Sequence, residues 1–206
     1  TPKPQKPISY LKVEFRQYIK YIKMRIVSIH IFKWKQKDPV LLWEATQLEG
    51  LWFFQKKTAT EHIRFSSRLI WQDTELGMKQ SVKLENDIGV CHCWTTSEGI
   101  SVTAITDLEY PEASAFNMLG QIIIDFMETF ENDTEMYTEQ EEDTNLKYDK
   151  LEEYIKVWQN PADADKIYKI KTELTEVKEI MHKNMEDLLK RGESLDALMA
   201  KSKDLG

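Results

Sequence analysis

The sequence is poor in the features on which several classes of protein depend. Among its 206 residues are only two cysteines and seven glycines, and its apolar runs, such as residues 122–124, are very short. A small disulfide scaffold needs more cysteines, and a membrane-spanning helix needs about 20 apolar residues in succession. The composition therefore argues against both classes, and it predicts a protein of a reducing, cytosolic setting.

The net charge is −7, but it is unevenly distributed. Residues 1–25 hold five Lys and two Arg against the single acidic residue Glu14, which makes +6 and leaves −13 for the remainder. This acidic balance argues against nucleic-acid binding. Residues 1–23 form a basic leader, for which two interpretations are open: a disordered appendage or a patch for a membrane surface.

Residues 24–131, here called the head, alternate between strand-like and helix-like patterns. Five strands are predicted, near residues 24–32, 40–45, 81–84, 88–95 and 100–106. Thr58 and Glu61 have the spacing of a capping box, which predicts that a first helix begins there. Pro111 is expected to open a second helix with an apolar inner stripe. The predicted fold class is α+β, with a mainly antiparallel five-stranded sheet and flanking helices.

Residues 132–160, here called the connector, are acidic at their beginning. Residues 131–145 are poor in core-forming residues, which predicts a solvated stretch. A short amphipathic helix is expected over residues 146–158, and Asn160-Pro161 should end it. The part that remains, residues 161–206, is here called the heptad segment.

The heptad segment repeats in alternating steps of three and four residues without a slip. Nine of the twelve positions are apolar, the a/d signature of a coiled coil. The predicted core positions are Ile167, Ile170, Leu174, Val177, Met181, Asn184, Leu188, Arg191, Leu195, Leu198, Ser202 and Leu205. A continuous helix over residues 167–205 would be roughly 58 Å long. Such a helix is marginal alone and needs partners.

The twelve predicted core positions are here called the seam. Arg191 is the one charged residue among them. Burying a guanidinium costs several kcal/mol, on the order of the cost of an unpaired buried charge, unless acceptors meet its donors. Two copies of this chain would bring two arginines together, so the seam predicts different partners that carry uncharged acceptors such as glutamine. Gly192 weakens the helix at the next position. The alternative is a homomeric coiled-coil scaffold in which Arg191 sets the register and its charge reaches solvent.

Cys91-His92-Cys93 is the motif that most resembles a chemical site. In a strand the two cysteines share one face and His92 points to the other, so the three cannot converge on a metal. The same geometry argues against a Cys–His nucleophile. We predict no catalytic residues, no metal site and no cofactor, and we keep an acyltransferase that uses Cys91 or Cys93 as a weaker alternative.

The order of parts, together with four stretches of sequence, resembles the longin-type R-SNAREs, and most closely their prenylated Ykt6 branch. The stretches are Phe53-Phe-Gln55, Ile105-Thr-Asp-Leu-Glu-Tyr-Pro111, Asn160-Pro-Ala-Asp-Ala-Asp165 and residues 173–196, which contain the Arg191-Gly192 step. The resemblance implies a profilin-like longin head and a role in vesicle docking and membrane fusion in transport among the endoplasmic reticulum, Golgi, endosomes and vacuole. It also implies that Arg191 is the ionic-layer arginine of a parallel bundle with three glutamine-SNARE helices.

The resemblance further implies that the head folds back on the heptad segment and inhibits it. The groove for this segment, or for a lipid chain, is expected at Phe53, Phe54, His62, Phe65 and Leu69. In the isolated chain, residues 160–206 are accordingly expected either to be largely disordered or to wrap the head with breaks in the helix.

Members of the branch are palmitoylated and farnesylated on a cysteine tail. This chain stops at Gly206 without such a tail, which predicts an incomplete carboxyl terminus. The expected location is the cytoplasm, with cycling to the cytosolic faces of Golgi, endoplasmic reticulum and endosomal membranes.

Overall fold

The computed structural model describes residues 25–35, 38–48, 53–146, 148–167 and 179–204. They form one six-stranded mixed sheet with helices against both of its faces. Among the helices described there, none combines the length and the apolar character needed to cross a bilayer.

The elements follow the predicted alternation of strands and helices. The strands are β1 (Ile26–Lys33), β2 (Val40–Thr46), β3 (Lys79–Lys83), β4 (Val90–Thr95), β5 (Ile100–Thr106) and β6 (Ile180–Asn184). The helices are α1 (Phe53–Gln72), α2 (Glu112–Thr129), α3 (Glu135–Thr138), α4 (Lys150–Trp158), α5 (Pro161–Ile167), α6 (Met185–Leu188) and α7 (Leu195–Asp204), with a 3₁₀ turn at Glu85–Asp87.

The sheet has the strand order β2-β1-β5-β4-β3-β6. The five strands predicted in the head are confirmed, and each neighbouring pair among them is antiparallel. The sixth strand was not predicted. It comes from the heptad segment and pairs with β3 in parallel. The edge of β3 would otherwise expose unpaired backbone groups, and β6 supplies partners for them.

Both faces of the sheet are covered, and this explains the apolar character of its central strands. All seven residues of β5 are buried. In β1, Ile29 and Ile31 belong to the core beneath α2, whereas Phe32 packs with Trp71 of α1 on the opposite face. Successive side chains of a strand point to opposite faces, so a strand covered on both sides loses the polar alternation of a surface strand.

On one face, here called the α2 face, helices α4 and α5 pack beside α2. The amphipathic helix predicted near residues 146–158 is α4, and its Trp158 is fully buried. The Tyr110 hydroxyl donates a hydrogen bond to the Trp158 carbonyl at 2.9 Å. Gln159 then accepts from the backbone amides of Arg25 and Ile26 at 2.7 and 3.1 Å. The start of β1 is thereby tied to the end of α4.

One local expectation was wrong, and a second was incomplete. Helix α1 begins at Phe53 rather than at Thr58, because Thr and Glu three residues apart fit a helix interior as well as a helix start. Residues 131–145 are mostly exposed, as predicted, but they also contribute to the core. Tyr137 is buried with its ring 5.4 Å from that of Phe126, and the amide of Thr144 donates to the Leu41 carbonyl at 2.8 Å. The connector thus covers the β2 edge of the sheet.

The heptad spacing would allow one continuous helix over residues 167–205. The described residues of this range do not form it. There the chain forms β6, the short helix α6, a turn and then α7. A lone helix with one apolar seam has no partner for that seam, whereas an interrupted chain can lay its apolar side chains on the head. Wrapping with breaks was one of the two expected outcomes. The predicted core positions Ile170, Leu174, Val177 and Leu205 lie outside the described residues.

Candidate interaction site between the head and the heptad segment

The second face of the sheet, here called the α1 face, carries an apolar cluster to which the heptad segment contributes. The members from α1 are Ala59, Ile63 and Ile70, with Phe65 and Leu69 packed against them. The sheet and the loop after β2 contribute Val27, Leu48, Val82, Cys91, Cys93 and Ile105. Met185 and Leu195 of the heptad segment complete the cluster with 0% and 6% of their surface exposed. Head and segment therefore share one core.

Three of the five expected groove residues lie where the segment docks. Phe65 and Leu69 pack against the shared cluster, and His62 Nε2 lies 3.4 Å from Asp196 Oδ1 at the start of α7. The side chains of Phe53 and Phe54 lie outside what the structure describes.

The side chains of Cys91 and Cys93 point into the α1 face, whereas His92 points to the α2 face, where its ring lies 5.6 Å from that of Phe116. The predicted separation of these side chains is confirmed. Burial raises the pKa of the Cys91 thiol well above its usual value and that of Cys93 to about 11. A nucleophilic cysteine needs a lowered pKa. These two thiols are core residues, and the geometry gives no support to an acyl-transfer site.

Strand β6 is held from both faces of the sheet. His182 Nε2 lies 2.8 Å from Glu112 Oε2 at the start of α2, and Lys183 Nζ lies 2.5 Å from Asp73 Oδ2 just after α1. The two residues are consecutive in a strand, so their side chains point to opposite faces. Each face of the head therefore supplies one carboxylate to the docked segment.

Beneath His182 a polar network continues into the head. Glu112 Oε2 also accepts from the Ser81 hydroxyl at 2.8 Å, and that hydroxyl lies 2.9 Å from Nδ1 of the buried His92. Burial opposes ionisation of Glu112, but the hydrogen bonds from Ser81 and His182 outweigh it and lower its pKa. Burial lowers the pKa of His92 to about 4. At neutral pH the network therefore contains a carboxylate beside a neutral histidine.

The predicted core positions are divided between solvent and the head. Leu195 is buried, and Leu188 and Leu198 are half-buried. The remaining described positions are exposed, namely Ile167, Met181, Asn184, Arg191 and Ser202. The seam does not form one continuous surface here, because strand and turn backbone rotate its residues to different sides.

Arg191 lies in a turn between α6 and α7. The amide of Glu193 donates to the Lys190 carbonyl at 2.9 Å, and Gly192 has a φ of +84°. A positive φ at the third residue of a four-residue turn is the geometry of a type II turn, which favours glycine there. The turn explains why the position after Arg191 carries a poor helix former.

Comparisons with known proteins match two parts of the chain. Residues 52–155 match the longin family, described as a regulated-SNARE-like domain, and residues 166–206 match the synaptobrevin family. The synaptobrevin homologues YKT6 of Debaryomyces hansenii and Saccharomyces cerevisiae are each 34% identical over 182 residues, 88% of this chain and 90% of the relative. A VAMP-like protein YKT61 of Arabidopsis thaliana is 33% identical over 88% of this chain and 89% of its own length.

The longin fold followed by a synaptobrevin segment defines an R-SNARE, a class of vesicle-trafficking proteins that are not enzymes and that assemble with other SNAREs. The chain belongs to the YKT6 family of synaptobrevin homologues.

Sequence reasoning missed the carboxylates that hold β6. Glu112 and His182 are 70 residues apart and Asp73 and Lys183 are 110 apart, so no local pattern relates them. The sequence indicated the docking only indirectly: a marginal helix with an apolar seam needs another surface against which the seam can be buried.

Proposed function

We propose that this R-SNARE alternates between two states of its heptad segment. In one, the segment is docked on the head as described above. In the other, it is a continuous helix that joins three glutamine-SNARE helices in a parallel four-helix bundle and drives membrane fusion. The longin head then inhibits assembly for as long as it holds the segment.

The burial of Leu195 carries the proposal. In the docked segment this predicted core residue has 6% of its surface exposed and packs in the cluster of the α1 face. A side chain buried against the head cannot at the same time pack against partner helices. Docking and bundle formation therefore compete for the same apolar surface, and the strength of docking sets how readily the segment assembles.

Arg191 supports the second state. In the docked segment this side chain is exposed, so its charge is solvated. In a bundle the same position faces the core, where three glutamine carboxamides would accept its donors. We propose Arg191 as the ionic-layer residue and the other seam positions named above as the core layers.

The domain boundaries near residues 23, 131 and 160 are part of this proposal. We also propose that lipidation of the family's cysteine tail provides the membrane anchor. The protein then cycles between the cytoplasm and the cytosolic faces of Golgi, endoplasmic reticulum and endosomal membranes. The apolar groove beside Phe65 and Leu69 is also suited to a lipid chain, because its lining is the same cluster that accepts Met185 and Leu195.

Assembly with partner helices tests the proposal. The purified chain is mixed with three glutamine-SNARE helices, and a heat-resistant 1:1:1:1 complex is expected. Arg191→Leu should leave the melting of the head unchanged within about 0.5 kcal/mol, as for an exposed site. It should also reduce selectivity for glutamine partners, because the carboxamides would be buried without a donor.

A matched control is Lys190→Leu, which alters the neighbouring exposed cation outside the predicted core positions. It should retain partner selectivity. A stable self-dimer of the wild-type chain without hetero-assembly would contradict the proposal and favour the homomeric scaffold.

A further inference from the structure

Among the described residues, two turns that carry glycine at the third position have the same geometry and lie in parts of the chain with different roles. In the head, the amide of Met78 donates to the Glu75 carbonyl at 3.1 Å, and Gly77 has a φ of +73°. In the heptad segment, the turn from Lys190 to Glu193 holds Gly192 at a φ of +84°. Both glycines occupy the third turn position, where a positive φ excludes most L-residues.

The surroundings of Gly192 separate the backbone effect from packing. A Cβ atom built on this glycine would meet nothing within 4 Å among the residues that the structure describes. A side chain added there would therefore cause no clash with a neighbour. Its effect would come only from the left-handed backbone, which disfavours alanine relative to glycine.

The heptad spacing gives Gly192 a second environment. The predicted core positions continue without a slip from Leu188 through Arg191 to Leu195, so a continuous helix places Gly192 in its interior. Glycine is the poorest helix former after proline. Gly192 thus favours the docked turn, because its backbone adopts a positive φ easily. It disfavours the assembled helix, because glycine is a poor helix former.

We propose that Gly192 sets the balance between the two states of the segment. It stabilises the turn through which α7 docks, and it raises the free energy of the helix that would replace that turn. The inference rests on the proposed function in one respect, the identity of the helical state. Its effect on docking is independent of any partner.

Gly192→Ala in the full chain tests this inference by hydrogen exchange of the amides in α7, such as Leu198, whose amide donates to the Ser194 carbonyl at 3.1 Å. The left-handed backbone alone should raise the opening equilibrium of α7 by about five- to thirtyfold. The higher helix propensity of alanine should favour the continuous helix by about a further fivefold. The amides of β5 within the head should stay protected.

Gly77→Ala is the matched control, since it places the same side chain in the same kind of turn within the head. It should lower the stability of the head while leaving local opening of α7 as in the wild type. Gly192→Asn provides a graded variant, because asparagine tolerates the left-handed region better than alanine. Its α7 exchange should fall between that of the wild type and that of Gly192→Ala.

Unchanged α7 exchange in Gly192→Ala would overturn the inference, and so would equal effects of Ala and Asn. Assembly with three glutamine-SNARE helices, measured in parallel, separates the two proposals. If the wild-type chain fails to assemble while α7 opening follows the expected order, the proposed function fails and the effect of Gly192 on docking stands.

Discussion

The two faces of the sheet are covered by different parts of the chain and held by different kinds of contact. On the α2 face, the fully buried Trp158 and the buried carbonyl hydrogen bond from Tyr110 fix α4 to the head. On the α1 face, part of the core is contributed by Met185 and Leu195, which belong to a segment with a second predicted role.

The polar contacts follow the same division. On the α2 face, Asp165 accepts from Ser114 and Asn117 of α2 at 2.5 and 3.0 Å in a partly buried setting. On the α1 face, the contact between Lys183 and Asp73 that holds β6 is an exposed ion pair. Buried hydrogen bonds are costly to break because they leave unsatisfied groups, whereas exposed ion pairs are weak. The comparison teaches that buried contacts close the α2 face, whereas the α1 face is closed in part by an exposed pair, as the release of the segment that we propose requires.

Truncating one large side chain on each face is the strongest way to break the comparison. Trp158→Ala should destabilise the whole fold by about 3–5 kcal/mol, and Met185→Ala should remove about 2–5 kcal/mol from docking of the segment alone. Urea unfolding measures the first effect. The second appears as faster amide exchange in β6, while the amides of the central strand β5 stay protected. Equal loss of protection in β5 and β6 of Met185→Ala would contradict the division into two kinds of face.

Acid should weaken both faces, since each buries one histidine. Burial lowers the pKa of His30, on the α1 face, and that of His92, on the α2 face, to about 4, against 6.5 in the unfolded chain. Between these values the unfolded state binds more protons, so the free energy of unfolding falls as the pH falls. The expected loss from pH 7 to pH 5 is about 2 kcal/mol per histidine.

Urea titrations at pH 7, 6 and 5 measure this loss. His30→Asn and His92→Asn should each remove about half of the loss of unfolding free energy between pH 7 and pH 5, whatever their effect on stability at pH 7. A wild-type stability that is flat over this interval would show that the buried histidines do not govern it.

The smallest expected effect distinguishes the two contacts of β6. A double-mutant cycle with Lys183→Ala and Asp73→Ala should give a coupling of at most about 1 kcal/mol in the opening equilibrium of β6, weakened by salt. The pair of His182 and Glu112 should couple less at neutral pH, because the His182 side chain is more exposed than that of Lys183. Equal couplings that are insensitive to salt would mean that hydrogen bonding, and not charge, holds the strand.

The strands of the head were predictable because their signal is local. Apolar residues in short runs between turn residues gave β1 to β5, and the periodic stripe after Pro111 gave α2. The start of α1 was missed because the spacing of Thr58 and Glu61 does not distinguish a helix start from its interior. The packing of Tyr137 was missed because the acidic residues around it obscured a single aromatic anchor.

For the candidate site, sequence reasoning identified the seam and three groove residues that contact the docked segment or the cluster it completes: His62, Phe65 and Leu69. It did not give Glu112 or Asp73, whose partners lie far along the chain. It also did not give β6, because residues 180–184 fit the heptad pattern as a helix and pair with β3 only when the head is present.

The sequence by itself determined the spacing of the seam, the position of its one charge and the type of most elements in the head. These properties depend on residues a few positions apart, where side-chain periodicity and turn chemistry act. Only the tertiary structure decided which surface the seam covers, and with it the conversion of predicted helix into β6 and a glycine turn. That choice depends on the burial of Met185 and Leu195 against the head and on polar contacts with residues 70 and 110 positions away. The free energy of such burial exceeds the weak local preference for helix.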